Sequence, residues 1–223
     1  MSKSIRILLG ILSGLLFIGL IALLKNVDVA PIAAGDTKVG LSSLNQSARS
    51  FFGEQTVWHT ITDWLGYCTL LIGGCFALTG LIQLIRRRSL LKIDREIIAL
   101  GVLYILTLIV YIVFEKVVIN CRPLLLPKDL EPAASFPSSH TVMSLVILLS
   151  TAMLIPRYAG SVVTARIIQV LCGLLAAVAV IGRLISGVHW LTDILGGLLI
   201  SACLLFFFSA YLHRNDIEDD NLQ

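Results

Sequence analysis

Charged residues are scarce in this sequence. Only 14% of its 223 residues are Asp, Glu, Lys or Arg, and 57% are hydrophobic, whereas soluble domains carry about 25% charged residues. This composition, with a mean hydropathy of +0.92, disfavours both a soluble globular protein and an intrinsically disordered chain. The net charge of +3 is small, so the composition predicts no nucleic-acid partner.

Cysteine patterns that would indicate a disulfide framework or a zinc site are also missing. The chain has five cysteines and no CxxC pair. Four of them lie within apolar runs, and only Cys121 falls in a candidate loop. The sequence therefore offers no exposed cysteine pair for a disulfide and no spacing typical of structural zinc.

Long hydrophobic runs, by contrast, are abundant. Six runs are long enough to cross a bilayer as helices of about 20 residues. The predicted fold is all-α, a polytopic membrane protein with a single membrane-embedded domain, 1–223, and six transmembrane helices at about 5–24, 62–85, 97–118, 140–155, 166–185 and 191–212. The first run follows Lys3 and Arg6 as in a signal peptide. It exceeds the usual apolar length of about 7–15 residues, which favours a retained span.

The basic residues predict the orientation of the spans. They cluster before the first span, in every second loop and after the last span, as Lys3, Arg6, Arg86, Arg87, Arg88, Lys92, Arg95, Arg157, Arg166 and Arg214. Alternating spans place all of them on one side, which the positive-inside rule identifies as the cytoplasm. Both termini are then cytoplasmic, and the outward loops are 25–61, 119–139 and 186–190. The first of these is long and aromatic enough to hold a short interfacial helix.

The remaining ionisable residues gather at the predicted outer ends of spans three to six. They are Glu115, Lys116, Arg122, His140, Arg183, His189 and Asp193. Charge at or within a membrane span is costly and by default indicates function. Arg183 is the clearest case, because it follows an apolar run and no loop accounts for it.

The spacing of His189 and Asp193 suits a catalytic histidine. The two residues are four apart, so on a helix they share one face. A carboxylate that accepts a hydrogen bond from one imidazole nitrogen fixes the tautomer and leaves the other nitrogen free to act as nucleophile or base. Arg183 lies nearby in the sequence, and its planar guanidinium suits phosphate oxygens.

A second group surrounds the predicted start of the fourth span. Ser138 and Ser139 follow Pro137 and are good helix N-cap residues. The N-terminus of a helix offers free N–H groups and the positive end of the helix dipole, which together bind anions. His140 is then an acid–base group at this anion site, and Arg122 supplies a second guanidinium from the preceding loop.

The same residues also permit interpretation as a metal site. His140, His189 and Asp193 are all common metal ligands. Because two guanidinium groups beside them would repel a divalent ion, we expect neither a metal ion nor another cofactor. His59 and Asp63 are also four residues apart, and this pair indicates an interfacial polar contact rather than a ligand set.

The group formed by Arg183, His189 and Asp193 resembles a motif of the type-2 phosphatidic acid phosphatase superfamily, which consists of integral membrane lipid phosphatases. The family motif is S-R-x5-H-x3-D. In this chain Arg183, His189 and Asp193 have that spacing, and Gly182 stands where the family has serine.

Two further motifs of that family have partial counterparts. The motif P-S-G-H corresponds to residues 137–140, with Ser139 in place of glycine. The motif K-x6-R-P corresponds to Lys116 and Arg122, but the spacing is one residue short and strict spacing falls on Glu115. The three motifs lie within residues 116–193.

The resemblance implies a role for each matching residue. His189 would be the nucleophile that takes the phosphoryl group, Asp193 would orient it, and His140 would protonate the leaving lipid oxygen and then activate water. The phosphate oxygens would be held by Arg122, Arg183, Ser138, Ser139 and, despite its shifted spacing, Lys116.

The function implied is hydrolysis of a lipid phosphate or diphosphate at the outer face of a bacterial plasma membrane through a phosphohistidine. Candidate substrates are undecaprenyl diphosphate, phosphatidylglycerophosphate and phosphatidic acid, and the only other expected partners are membrane lipids. Phosphoryl transfer depends mainly on positioning and charge stabilisation, which arginines and N–H groups supply without a metal. Two alternatives stay open, a phosphotransferase with the same site and a non-catalytic lipid transporter or scaffold. The sequence does not fix the oligomeric state.

Overall fold

The computed structural model describes residues 1–124 and 132–220, apart from the side chains of residues 34 and 214–220. Within these residues a long helix is followed by a small hairpin, a short helix and five more long helices. The helices are α1 (Lys3–Asn26), α2 (Ser42–Phe52), α3 (Thr56–Arg87), α4 (Arg95–Lys116), α5 (Ser139–Tyr158), α6 (Val162–Ile185) and α7 (Leu191–Asp220). The hairpin pairs β1 (Ala30–Pro31) with β2 (Lys38–Val39) in antiparallel orientation, and 3₁₀ turns occupy Ala34–Asp36 and Leu90–Lys92.

Six of these helices, α1 and α3 to α7, are long and apolar enough to cross a membrane. This finding confirms the predicted all-α fold with six transmembrane helices. The largest difference at the start of a helix is in α3, which begins at Thr56 rather than near residue 62. Its first turns carry polar and aromatic residues, which a hydropathy pattern does not mark as part of a span. The 32 residues of α3 span about 48 Å, more than the ~30 Å of a hydrocarbon core. The side chain of Arg214, one of the basic residues that predict the orientation of the spans, lies outside the described residues.

The long first loop contains the expected short helix. One face of α2 buries Ser42 and Asn45, while the other exposes Phe51. The carboxylate of Asp28 accepts hydrogen bonds from the Ser43 N–H and the Ser42 hydroxyl at the start of α2. The backbone hydrogen bond from Ser43 is the main cause that holds the pKa of Asp28 below its usual value. The loop is therefore folded against the helices rather than extended.

Helix α5 lies at the centre of the bundle. It packs against α3, α4, α6 and α7, and Val146, Leu148 and Leu154 are fully buried on it. Helix α1 packs along α7, where Gly10 faces the ring of Phe207. The central position of α5 places its first turn among the ends of the neighbouring helices.

Candidate active site

A cavity of about 220 Å³ lies beside the first turn of α5. Its polar lining brings together residues from α4, from α5, from the loop between these helices and from the α6–α7 connection. They are Glu115, Arg122, Ser135, Ser139, His140 and His189. Apolar residues of α4 and α5 line another part of the cavity, including Val110, Phe114, Val142 and Met143. Four predicted site residues, Arg122, Ser139, His140 and His189, thus share one cavity, and we call it the site cavity.

His189 stands at the end of the short α6–α7 connection, backed by a buried carboxylate. Gly187 turns that connection with a φ of +71°, a value that glycine adopts without strain. Asp193 is fully buried, and its Oδ2 accepts the Trp190 N–H at 2.9 Å while lying 3.5 Å from His189 Nδ1. This last distance is longer than an ordinary hydrogen bond, as is common for catalytic pairs without substrate.

The surroundings of His189 favour its neutral form. Burial lowers the pKa of His189 from its ordinary value of 6.5, and the hydrogen-bonding influence of Asp193 acts in the opposite direction. Because the carboxylate faces Nδ1, the Nε2 nitrogen is the one left for a substrate. A neutral imidazole with a free nitrogen is the form that acts as a nucleophile.

Two buried amides that the sequence did not reveal brace this region. Asn120 Nδ2 lies 3.4 Å from both Asp193 Oδ1 and Thr192 Oγ1. Asn45, on α2, donates to Thr192 Oγ1 at 3.0 Å and accepts the Thr192 N–H at 3.2 Å. The network therefore ties α2 and the loop after α4 to the first turn of α7. Asparagine in a loop is too common for the sequence alone to mark either residue.

The first turn of α5 has the predicted N-cap. Ser138 is fully buried, and its hydroxyl oxygen accepts from the Thr141 N–H at 3.4 Å and lies 3.0 Å from the Thr141 hydroxyl. The Ser138 N–H donates to the Asp193 carbonyl at 3.1 Å, so the turn before α5 is bonded directly to α7. The N–H groups of a helix's first turn have no acceptor within the helix, and here Ser139 and His140 stand in that turn beside the cavity.

Arg183 contacts a carboxylate that the motifs do not contain. Its guanidinium is buried and donates from Nη2 to Oδ1 of Asp63 on α3. The same Oδ1 lies 3.3 Å from His140 Nε2, and Oδ2 lies 2.9 Å from His59 Nδ1. The polar contact expected between His59 and Asp63 is present. The further contacts of Asp63 with Arg183 and His140 were not predicted, although a carboxylate within a long helix of low charge was a usable signal.

Several buried donors at this end have no hydrogen-bond partner among the described residues. They include Arg122 Nε, Arg183 Nε, the Ser135 hydroxyl, His189 Nδ1 and, on α2, Arg49 Nε. Buried polar groups are normally paired, so unpaired donors need an explanation. Arg122 and Ser135 line the site cavity, where a bound anion would satisfy them. Ser135 was not among the predicted site residues because no spacing rule singles out a lone serine in a loop.

Lys116 is placed differently from the other predicted residues. It is exposed at the C-terminal end of α4, whereas the others are buried or half-buried. The described residues that line the cavity do not include it, nor do they include the buried Ser138, Arg183 and Asp193. Glu115, the neighbour of Lys116 on which the strict motif spacing falls, does line the cavity. Within the described part of the chain, no three His, Cys, Asp or Glu side chains are grouped as they would be around a metal ion.

Comparison with known proteins agrees with the motifs. Residues 75–217, more than half of the chain, match the PAP2 superfamily. The fold is similar to the crystal structure of the first transmembrane PAP2 type phosphatidylglycerolphosphate phosphatase from Bacillus subtilis, with a TM-score of 0.63 and 18% identity over 94% of this chain and 97% of the other. No curated protein sequence matches this chain significantly. The chain is an integral membrane protein and belongs to the PAP2 superfamily.

Proposed function

We propose that this protein hydrolyses the phosphate monoester of a membrane lipid, without a metal ion and through a phosphohistidine at His189. Membership of the PAP2 superfamily supports lipid phosphate hydrolysis as the general activity. One observation carries the finer proposal. Two histidines, one of them beside a buried carboxylate, line the same cavity as Arg122 and the hydroxyl of Ser135, which has no partner in the described ranges 1–124 and 132–220.

The proposed reaction has two phosphoryl transfers. In the first, Nε2 of His189 forms a bond to phosphorus as the bond from phosphorus to the lipid oxygen breaks, and His140 gives that oxygen a proton. In the second, His140 takes a proton from water while the water oxygen attacks phosphorus and the bond to His189 breaks. Arg122, Arg183 and the N–H groups of the first turn of α5 would hold the phosphate oxygens, over which the charge of the transition state is spread.

A lipid monophosphate fits the site cavity better than a diphosphate. The carboxylate of Glu115 lines the cavity and would repel the additional charge of a diphosphate. The apolar residues of α4 and α5 provide a surface for the lipid part. The structurally similar Bacillus subtilis protein is a phosphatidylglycerolphosphate phosphatase. We therefore propose phosphatidylglycerophosphate first, phosphatidic acid second and undecaprenyl diphosphate last.

The proposed site faces outward from the plasma membrane. The basic residues at the ends of α3 and α5, such as Arg87 and Arg157, lie at the opposite end of the bundle from His140. The positive-inside rule assigns that basic end to the cytoplasm, which leaves both termini inside. Modification of single cysteines by a membrane-impermeant reagent in intact cells would test this orientation.

Trapping the intermediate tests the mechanism most directly. Purified protein mixed with lipid carrying ³²P in its phosphate, then quenched within milliseconds, should carry acid-labile, alkali-stable label on His189. The His189→Asn variant should carry none and should lose phosphate release by a factor on the order of 10⁴. The His213→Asn variant, changed at the opposite end of the bundle, should behave as the wild type does.

Four outcomes would contradict the proposal. Label on another residue would reject His189 as the nucleophile. Loss of activity in a chelator with recovery on adding a metal ion would reject the metal-free chemistry. Transfer of label to added alcohols in preference to water would indicate a phosphotransferase, and specific lipid binding with no release of phosphate would indicate a transporter or scaffold.

A further inference from the structure

Asp63 occupies a position between three side chains, two of which belong to the proposed site. It lies on α3, outside all three sequence motifs. One carboxylate oxygen, Oδ1, contacts both the buried guanidinium of Arg183 and Nε2 of His140. The other oxygen, Oδ2, contacts Nδ1 of His59 one turn earlier on α3. A single carboxylate thus joins the proposed phosphate-binding cation to the proposed proton donor.

The packing of α3 accounts for this contact. A Cβ atom added to Gly182 would lie 2.6 Å from Thr62 Cγ2, so the glycine at this position allows α3 and α6 to approach closely. Thr62 and Gly182 directly precede Asp63 and Arg183 in the chain. A Cβ atom on Gly66 would similarly lie 3.1 Å from the His140 ring. Two glycines therefore bring the α3 carboxylate within reach of both partners.

The charges also favour a role for Asp63. Arg183 is 2% exposed, and an uncompensated buried charge is strongly destabilising. The contact with Asp63 uses Nη2, and Nε of Arg183 has no partner within the described part of the chain. The carboxylate can therefore compensate and orient the guanidinium while a donor stays available for a phosphate oxygen.

We propose that Asp63 is a positioning residue, which holds His140 and Arg183 in the arrangement that protonates the leaving oxygen of the lipid. This inference rests on the proposed function. Asp63 neither gives nor takes a proton in the cycle, since His140 loses one to the lipid oxygen and regains one from water. His59 anchors the second carboxylate oxygen and so fixes the rotation of the carboxylate.

A merely structural ion pair and a positioning role predict different effects on different substrates. A weakened fold or a misplaced Arg183 slows every substrate by a similar factor. A misplaced His140 slows the first transfer only for substrates whose leaving group needs a proton, whereas the second transfer, in which His140 activates water, is the same for both substrates. A lipid monophosphate and its analogue with sulfur in place of the bridging oxygen separate the two cases, because a thiolate departs without protonation far more readily than an alkoxide.

The test compares Asp63→Asn with the wild type on both lipids in detergent. Asparagine keeps the shape and removes the charge. We expect the first transfer, followed as the formation of phosphoenzyme, to slow at least about 10-fold more with the oxygen-linked lipid than with the sulfur-linked lipid, a part of the 10²–10⁴-fold that acid–base catalysis contributes. The matched control is Asp36→Asn, because Asp36 is exposed in a 3₁₀ turn, and it should leave both rates unchanged.

A second comparison ties the effect to His140. The variant His140→Asn should show the same selective loss, and adding Asp63→Asn to it should not change the ratio of the two rates further. An equal fall on both lipids, or an additive effect in the double variant, would overturn the positioning role. If the wild type hydrolyses neither lipid, the proposed function itself fails, so the two failures are distinguishable.

A further variant keeps the test decisive if Asp63→Asn does not fold. The change His59→Gln leaves the Asp63–Arg183 pair in place and removes only the anchor of Oδ2. It should produce a smaller selective loss on the oxygen-linked lipid, about 2- to 5-fold, which is within the effect of losing one ordinary hydrogen bond. Identical rates for His59→Gln and the wild type on both lipids would then overturn the proposal.

Discussion

The two ends of the helical bundle use the same kinds of charged residue in opposite ways. At the end away from the site cavity, which we call the basic end, charges pair with each other. Nη1 of Arg87 lies 2.7 Å from Oδ1 of Asp94, and the amide of Gln83 donates to the other oxygen of the same carboxylate. Arg157 pairs with Glu96. The hydrogen bond from Arg87 is the main cause that lowers the pKa of Asp94. These contacts are complete without a ligand.

At the site end the charges do not complete each other. Two side chains, Arg183 and His140, share one oxygen of Asp63. Buried donors of Arg122, Arg183 and Ser135 have no partner among the described residues. The difference shows what distinguishes a site from a surface cluster here. It is the surplus of buried donors over acceptors, which an anionic phosphate would remove, and not the number of charges.

The largest expected effect that would sharpen this comparison comes from Asp193→Asn. Asparagine preserves the shape but cannot stabilise a charged His189, and it can present its amide N–H₂ to Nδ1, which selects the wrong tautomer. We expect phosphate release to fall on the order of 10³-fold or more, as for the corresponding carboxylate of a hydrolase triad. The steady-state rate and the amount of trapped phosphoenzyme measure the effect.

The matched control for Asp193→Asn is Asp28→Asn, a carboxylate of the first loop that contacts only the start of α2 in the described contacts. That variant should retain activity within about 2-fold, and its thermal unfolding should report any general loss of stability. Activity of Asp193→Asn within 10-fold of the wild type would show that the His189–Asp193 pair has no role in the mechanism. The two ends of the bundle would then not differ in function in the way proposed.

Much of the fold followed from local sequence features. Spans were predictable because each must bury its own backbone polar groups in lipid, so about 20 apolar residues recur. The His189–Asp193 pair was predictable because the two residues are only four apart, although Asp193 stands in the first turn of α7 and His189 in the connection before it. The N-cap at Ser138 was predictable for the same reason, since capping acts over three residues.

The remaining site residues depend on contacts between distant parts of the chain. Asp63 and Arg183 are 120 positions apart, and their meeting requires α3 to approach α6 at Gly182. Asn45 reaches Thr192 across 147 positions. The predicted phosphate ligand Lys116 and its neighbour Glu115 point to different surroundings because successive residues on a helix are rotated by about 100°. No spacing rule in the sequence carries this information.

A smaller effect is expected from Ser135→Ala, which tests whether the unpaired donors await an anion. A hydrogen bond to a charged group contributes about 1.5–3 kcal/mol, so we expect roughly a 10-fold rise in KM for the lipid with a smaller change in kcat. The matched control is Ser201→Ala. Ser201 is also buried and unpaired among the described residues, but it lies on α7 away from the cavity lining. Equal effects of the two variants would show that an unpaired hydroxyl does not by itself mark the site.

The smallest effect is expected at the basic end. Asp94→Asn removes the charge that pairs with Arg87. Because exposed pairs contribute about 0–1 kcal/mol, the free energy of unfolding should change by no more than that and the rate of lipid hydrolysis by less than about 2-fold.

The pKa of Asp94 is lowered from 3.8 in the folded protein. The stability it contributes is therefore present above pH 3.8, and the difference between wild type and variant should vanish as the pH falls through the lowered pKa. Denaturant unfolding at several pH values measures this difference. A loss of activity comparable to that of Asp193→Asn would mean that charges at the two ends act together, because Asp94 lies at the opposite end of the bundle from the site cavity.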